Sequence, residues 1–257
     1  RDWSSDVCSS DLVKAEAEAA IGLGFWHEGN LGHAEARFAR SIKLAEEAGE
    51  PERAAWCHLH AFRLAIESQS RAELGSLLGQ ARAAVPRAGL PALTAYLHTC
   101  VAKLEGQRGN LSEARRHCDI AQSLLELGPN AWVLRSNEMN RACIAILQGD
   151  LAGDSKHAER VLALLELGGG SETTQVATEV LMAHVKILEG RLPEAKHRLD
   201  RIVLKTRRGS AAHTAALEGL ATAQLTEGAL SDCASTLEQI EPPADRSEEH
   251  TSELQSR

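Results

Sequence analysis

Aromatic residues are scarce in this chain of 257 residues: four Trp, three Phe and one Tyr, 3 % of the whole. Methionine occurs only as Met139 and Met182, so no initiator Met is present. Every long apolar stretch is broken by charges, which excludes a transmembrane helix at the level of sequence. Basic residues are outnumbered, 28 against 36, for a formal net charge of −8. That balance argues against a protein built mainly to grip nucleic acid. Six cysteines lack the paired spacing of a secreted disulfide scaffold. What remains is an ordinary globular composition, 43 % hydrophobic and 25 % charged, which excludes wholesale disorder.

The two ends stand apart. Residues 1–12 read RDWSSDVCSSDL and residues 246–257 read RSEEHTSELQSR, with neither a helical nor a strand period. Both resemble translations of one sequencing adapter read in its two orientations, and both are expected to be non-native tails, set aside before fold reasoning. The native segment is then residues 13–245, from Val13 to Asp245. Setting the ends aside removes Arg1, Arg246 and Arg257 together with six acidic residues and Cys8. It leaves 25 basic residues against 30 acidic ones and five cysteines. On this reading the segment is an internal fragment of a longer protein.

A phrase recurs along that segment: an apolar helix end, a Gly with a small or polar follower, Leu, then an acidic or small stretch and Ala. It reads EGNLGHAEA from Glu28, RGNLSEA from Arg108, QGDLAGDS from Gln148, EGRLPEA from Glu189 and EGALSDC from Glu227, with a degenerate copy, SQSRAEL, from Ser68. The markers Gly29, Gln69, Gly109, Gly149, Gly190 and Gly228 are spaced by 40, 40, 40, 41 and 38 residues. Near-equal steps of this length are the signature of a solenoid. Seven before each marker sit Gly22, Phe62, Ala102, Ala142, Ala183 and Ala221. Five after sit Ala34, Leu74, Ala114, Asp154, Ala195 and Cys233; nine after, Phe38, Leu78, Cys118, Ala158, Leu199 and Leu237; twelve after, Ser41, Ala81, Ala121, Val161, Ile202 and Ile240. Offsets of five, nine and twelve step by four and three, one face of an α-helix. Small residues there allow two helices to approach closely. The Gly stops one helix; Asn30, Asn110 or Asp150 can cap the next; Pro193 falls in a first turn. Longer links carrying Gly or Pro are expected after each second helix, among them LGGGSE from Leu167. The prediction is all-α: twelve helices in six antiparallel pairs, roughly residues 13–50, 51–89, 90–128, 129–169, 170–208 and 209–245, with no strand.

This pattern resembles the tetratricopeptide repeat, whose right-handed α-solenoid it implies. The small residue before the turn, the Gly with its polar follower, the Ala after it and the bulky residue four further on all match, across nearly all of residues 13–245. The period is nearer forty than the thirty-four of the simple repeat, and the closing Pro is irregular. Forty-residue variants are similar to the repeat regions of large bacterial signalling and transcriptional regulators. The resemblance implies a concave face lined by the first helix of each pair, able to hold a peptide or a partner helix. On that face it places Trp26, His27, Trp56, Arg63, Glu67, Tyr96, Lys103 and Gln107 in the first three repeats, and Met139, Cys143, His184, Leu188 and Thr222 in the last three. The first set carries the aromatic and charged residues enriched at binding hot spots. Packing between helices is an equal explanation for Trp26 and Trp56.

Chemistry-bearing residues do not form a motif. Cys57 and His60 are three apart, His98 and Cys100 two apart, and His117 and Cys118 adjacent, none with the paired spacing of a zinc site. Gly168, Gly169 and Gly170 precede Ser171, but no Lys follows and no strand leads in, so this is a link and not a phosphate loop. No nucleophile motif occurs. Lys205, Arg207 and Arg208 lie at a helix C-terminus, where cations are favoured anyway. No catalytic residue, metal or cofactor is expected. The leading expectation is a cytoplasmic, non-catalytic scaffold binding a protein or peptide, a fragment of a larger bacterial regulator, with no nucleic-acid or membrane contact. One alternative is an effector-sensing repeat domain that binds a small molecule and controls an ATPase or DNA-binding domain. Another is a structural spacer of a multidomain enzyme.

Overall fold

A computed structural model describes residues 3–68, 71–168, 172–208 and 210–240. Among the described residues there are twelve α-helices and no strand. They are α1 Trp3–His27, α2 Leu31–Glu47, α3 Pro51–Glu67, α4 Arg71–Ala88, α5 Pro91–Gln107, α6 Leu111–Leu127, α7 Ala131–Gln148 and α8 Leu151–Gly168, followed by α9 Glu172–Leu188, α10 Leu192–Lys205, α11 Ala211–Glu227 and α12 Leu230–Leu237. The chain is an all-α helical repeat. It divides into two compact units, Arg1–Thr178 and Glu179–Arg257, with the boundary inside α9.

The punctuation follows the sequence. All five marker glycines lie at positive φ, from +70° at Gly149 to +84° at Gly228, a region that a side chain would disfavour. Marker Gln69 lies outside the described residues. So do Gly169, Gly170 and Ser171 of the link after α8, and residues 246–257. Asn30 and Asp150 accept bonds from the backbone of His33 and Gly153 at 3.4 and 3.0 Å. Asn110 makes no such cap; its amide donates to Glu105 instead, at 2.6 Å. The links between pairs are no longer than the turns within them where Pro51 and Pro91 open α3 and α5 directly. Proline at a first helical turn loses no intrahelical bond. Helix α1 begins at Trp3, inside the segment set aside as a tail; extending a nucleated helix costs far less than starting one.

In the first unit α1 packs on α2, α3 on α4, α5 on α6 and α7 on α8. Each pair also meets the next, and the first helices α1, α3, α5 and α7 touch one another in order. This makes one layer of first helices. Most of the predicted face is buried: Ala34, Phe38, Ser41, Ala81, Ala114, Cys118, Ala121, Ala158 and Val161 are fully enclosed, while Leu74 and Leu78 of α4 are half-buried. Small residues set the spacing. A methyl on Gly22 would stand 2.9 Å from Phe38 Cε1. Each fully buried Phe or Leu then contributes about 1.5–3 kcal/mol by leaving water. Buried polar groups pin neighbours. Ser41 donates to the Ala15 carbonyl at 2.7 Å, Asn137 to that of Cys118 at 3.1 Å and Asn140 to that of Thr99 at 2.8 Å.

In the second unit α10 packs on α11 and α11 on α12. Leu199 and Leu217 are enclosed, and Gly219 leaves room for Leu199 and His184. Leu237, expected in the core, is 50 % exposed, because α12 has only eight residues and no described helix follows to cover it. Among the described residues no helix is long and apolar enough to cross a membrane.

Candidate functional site

The layer of α1, α3, α5 and α7 carries most of the aromatic residues of the chain. His60 sits at their centre, with ring centroids 5.5 Å from Phe38, 6.0 Å from Trp56, 5.6 Å from Tyr96, 5.5 Å from Trp132 and 6.1 Å from Trp26. Tyr96 and Trp132 meet edge to face at 4.6 Å, and Trp56 lies 5.6 Å from Tyr96. Rings at these separations are in packing contact, each pair adding about 0.5–1.5 kcal/mol beyond burial. Trp26, Trp56 and Trp132 remain half-buried, while His60 and Tyr96 are buried. Burial, reinforced by Arg63, Arg53 and His27, lowers the His60 pKa to about 3. It is therefore neutral, and its Nδ1 lies 3.3 Å from the Tyr96 hydroxyl.

Next to this cluster one carboxylate gathers donors from three helices. Glu67 Oε1 accepts from Arg63 Nε at 2.8 Å and from Lys103 Nζ at 3.0 Å, and Oε2 accepts from Trp26 Nε1 at 2.7 Å. The side chains are 28 % exposed for Glu67, 13 % for Arg63 and 27 % for Lys103. Burial alone would raise the Glu67 pKa, but Lys103 and Arg63 outweigh it and bring it down to about 2. Burial and the Arg63 charge lower that of Lys103. Arg63 Nη1 is buried without an acceptor. The group is thus two cations around one anion, half out of water, with the Trp26 indole as a third donor.

The residues expected on the face divide. Trp26, Trp56, Arg63, Glu67 and Lys103 are brought together; His27 and Gln107 are exposed on the same helices. Tyr96, expected on the same face, is fully buried, with its ring against those of Trp56 and Trp132. Met139 is half-buried and Cys143 exposed on α7; in the second unit His184 is half-buried, and Leu188 and Thr222 are exposed. Sequence reasoning missed Trp132 and His60. Trp132 stands seventeen before its marker whereas Trp56 and Tyr96 stand thirteen before theirs, so it enters the column one helical turn early.

A second cluster lies between α5 and α6. His98 and His117 face each other with Nδ1 atoms 2.7 Å apart. Arg116, a donor only, lies 3.4 Å from His117 Nε2. The bond therefore runs from His117 Nδ1–H to His98 Nδ1. Burial, then His117, Arg116 and Arg82, lower the His98 pKa to about 4. Cys100, two residues on, points the other way into the core, where burial raises its thiol to about 12. Among the described residues no three His, Cys, Asp or Glu side chains gather where a metal could be held. No family model matches the chain, and no curated protein matches it.

Proposed function

We propose that this chain is a non-catalytic scaffold of the tetratricopeptide type that binds a protein or peptide along the layer of α1, α3, α5 and α7, as part of a larger cytoplasmic bacterial regulator. One observation carries the reading: half-exposed Trp26, Trp56 and Trp132 pack against buried His60 and Tyr96, and Trp26 also donates to an ion cluster shared by α3 and α5. Rigid Trp and Arg side chains set in a desolvated surround are the usual anchors of a binding surface. Their rotamers are already fixed, so a partner meets little ordering cost. The forty-residue period and the buried small residues support the repeat assignment.

The test is selection from a displayed library of random nonapeptides against the full chain. Recovered peptides are expected to lose binding to a Trp56→Leu chain whose helicity by circular dichroism matches the parent. Failure to recover any peptide above background would refute the proposal.

A further inference from the structure

We infer that the hairpin of α5 and α6 is an acid-released joint, closed by the contact between His98 and His117 where other hairpins are closed by an acid–base pair. Register carries the argument. The positions eleven before a marker and eight after it lie nineteen residues apart, one on each helix of a hairpin, and their side chains meet in hairpin after hairpin. Glu18 accepts from Arg37 at 2.9 Å, and Glu138 Oε2 lies 2.7 Å from His157 Nδ1. In the second unit Glu179 accepts from Arg198 at 2.5 Å. His98 stands where these hairpins have their carboxylate, and meets His117 at the matching place. In the second hairpin the two positions hold His58 and Leu77, and His58 Nε2 lies 3.4 Å from Glu46 of α2 instead.

Two imidazoles hold each other only while one of the facing nitrogens is bare. With His117 Nδ1–H donating to His98 Nδ1, the one lone pair left is on His117 Nε2. A first proton goes there and leaves the bond in place. A second goes to His98 Nδ1, and then two N–H groups on two cations face each other across 2.7 Å. Where the partner is a carboxylate, as at Glu138, the same acid adds attraction instead. The charged groups acting on the pair are Arg82 of α4, Glu105 of α5, and Glu113 and Arg116 of α6. Both carboxylates already hold partners: Glu105 is engaged by Arg108 and the Asn110 amide, and Glu113 by Arg116. The closed hairpin therefore refuses a proton that the opened one takes. Its stability is complete above the ordinary imidazole value of 6.5 and is lost as pH falls toward about 4. Because hairpins of a repeat contact only their neighbours, one of them can open by itself. Helix α5 also carries Lys103, which donates to Glu67 of α3 at 3.0 Å, so its release reaches the layer of first helices.

The test is amide hydrogen exchange of the full chain, read as protection factors so that the pH dependence of the exchange chemistry cancels. From about pH 7 to about pH 5, opening of α5 and α6 is expected to rise about twentyfold more than that of α1 and α2, the linkage of a pKa near 4 against 6.5. His98→Glu restores the residue type of the other hairpins. There the excess is expected to vanish, because the new carboxylate holds His117 more strongly once His117 takes a proton. His98→Gln can accept from His117 but never titrates, and is expected to lose most of the excess as well. Either variant decides the matter if its helicity at pH 7 matches the parent. An equal rise in α1 and α2, or an excess unchanged in a folded variant, would overturn the inference.

Discussion

Acid is expected to unfold the first unit by protonating His60. In the folded chain its pKa is about 3 against an ordinary value of 6.5, because a charged imidazole would sit among Phe38, Trp56, Tyr96 and Trp132 with Arg63 one turn away. A group whose folded pKa is depressed adds stability that is complete above its unfolded pKa and is lost as pH falls toward the folded one. For His60 that window runs from 6.5 down to about 3. Linkage with these two values gives a loss of about 2–3 kcal/mol between about pH 6 and about pH 4. The assay is urea denaturation followed by circular dichroism at several pH values across that window, on the parent and on His60→Gln. Glutamine keeps a polar partner for the Tyr96 hydroxyl but never titrates. Its lost ring contacts lower stability at every pH, so the measured quantity is the slope. His98 and His117 titrate in both chains and cancel in the difference. If His60→Gln loses as much stability across the window as the parent, the depressed pKa and the packing that explains it are wrong.

Other consequences are open to the same instruments. Gly22→Ala is expected to destabilise by about 1–2 kcal/mol, overpacking against Phe38 outweighing the helix propensity gained. Gly24→Ala, where a methyl meets nothing within 4 Å, is expected to stabilise by up to about 1 kcal/mol; thermal melting of the two variants checks the opposite signs. Glu67→Gln leaves Arg63 and Lys103 facing each other and is expected to cost about 2 kcal/mol in urea titrations, less than for a fully buried pair. It should also shift the emission of Trp26, which loses its charged acceptor. Ala183→Pro in the middle of α9 is expected to cost about 3 kcal/mol or more, read as lost helicity and a lower melting temperature.

The repeat was legible because it rests on local rules. A Gly every forty residues must adopt a backbone that other residues avoid, and small residues at helical offsets must face a neighbouring helix. Both statements need only the order of residues, and Gly109, Gly149, Ala34 and Ala114 behave accordingly. The first helices were harder, because their contacts reach across repeats. Arg63 and Lys103 are forty apart, and both stand six before their markers, so equal offset brings them side by side. Glu67 stands one turn beyond Arg63, within reach of both. The burial of Tyr96 was not legible because position on a face does not tell depth: Trp132, one turn out of column, packs edge to face against it. The meeting of His98 with His117 depends on the pairing of α5 with α6, which no spacing within either helix reveals. Asn110 makes no cap because its side chain is turned to Glu105, five residues back, which accepts from its Nδ2.

The ion cluster around Glu67 also gives a repetitive object an address. Successive hairpins have nearly the same backbone, so a partner displaced by one hairpin would meet much the same shape. The residues at the Arg63 offset are Leu23, Arg63, Lys103 and Cys143 along α1, α3, α5 and α7, and at the Glu67 offset His27, Glu67, Gln107 and Leu147. Only between α3 and α5 do two cations stand together, and only there does a carboxylate hold them. A partner moved one step toward α1 would set its matching group beside Leu23, and one step toward α7 beside Cys143. Along these four helices two cations on one carboxylate occur once, so a partner that used them would be set in one register.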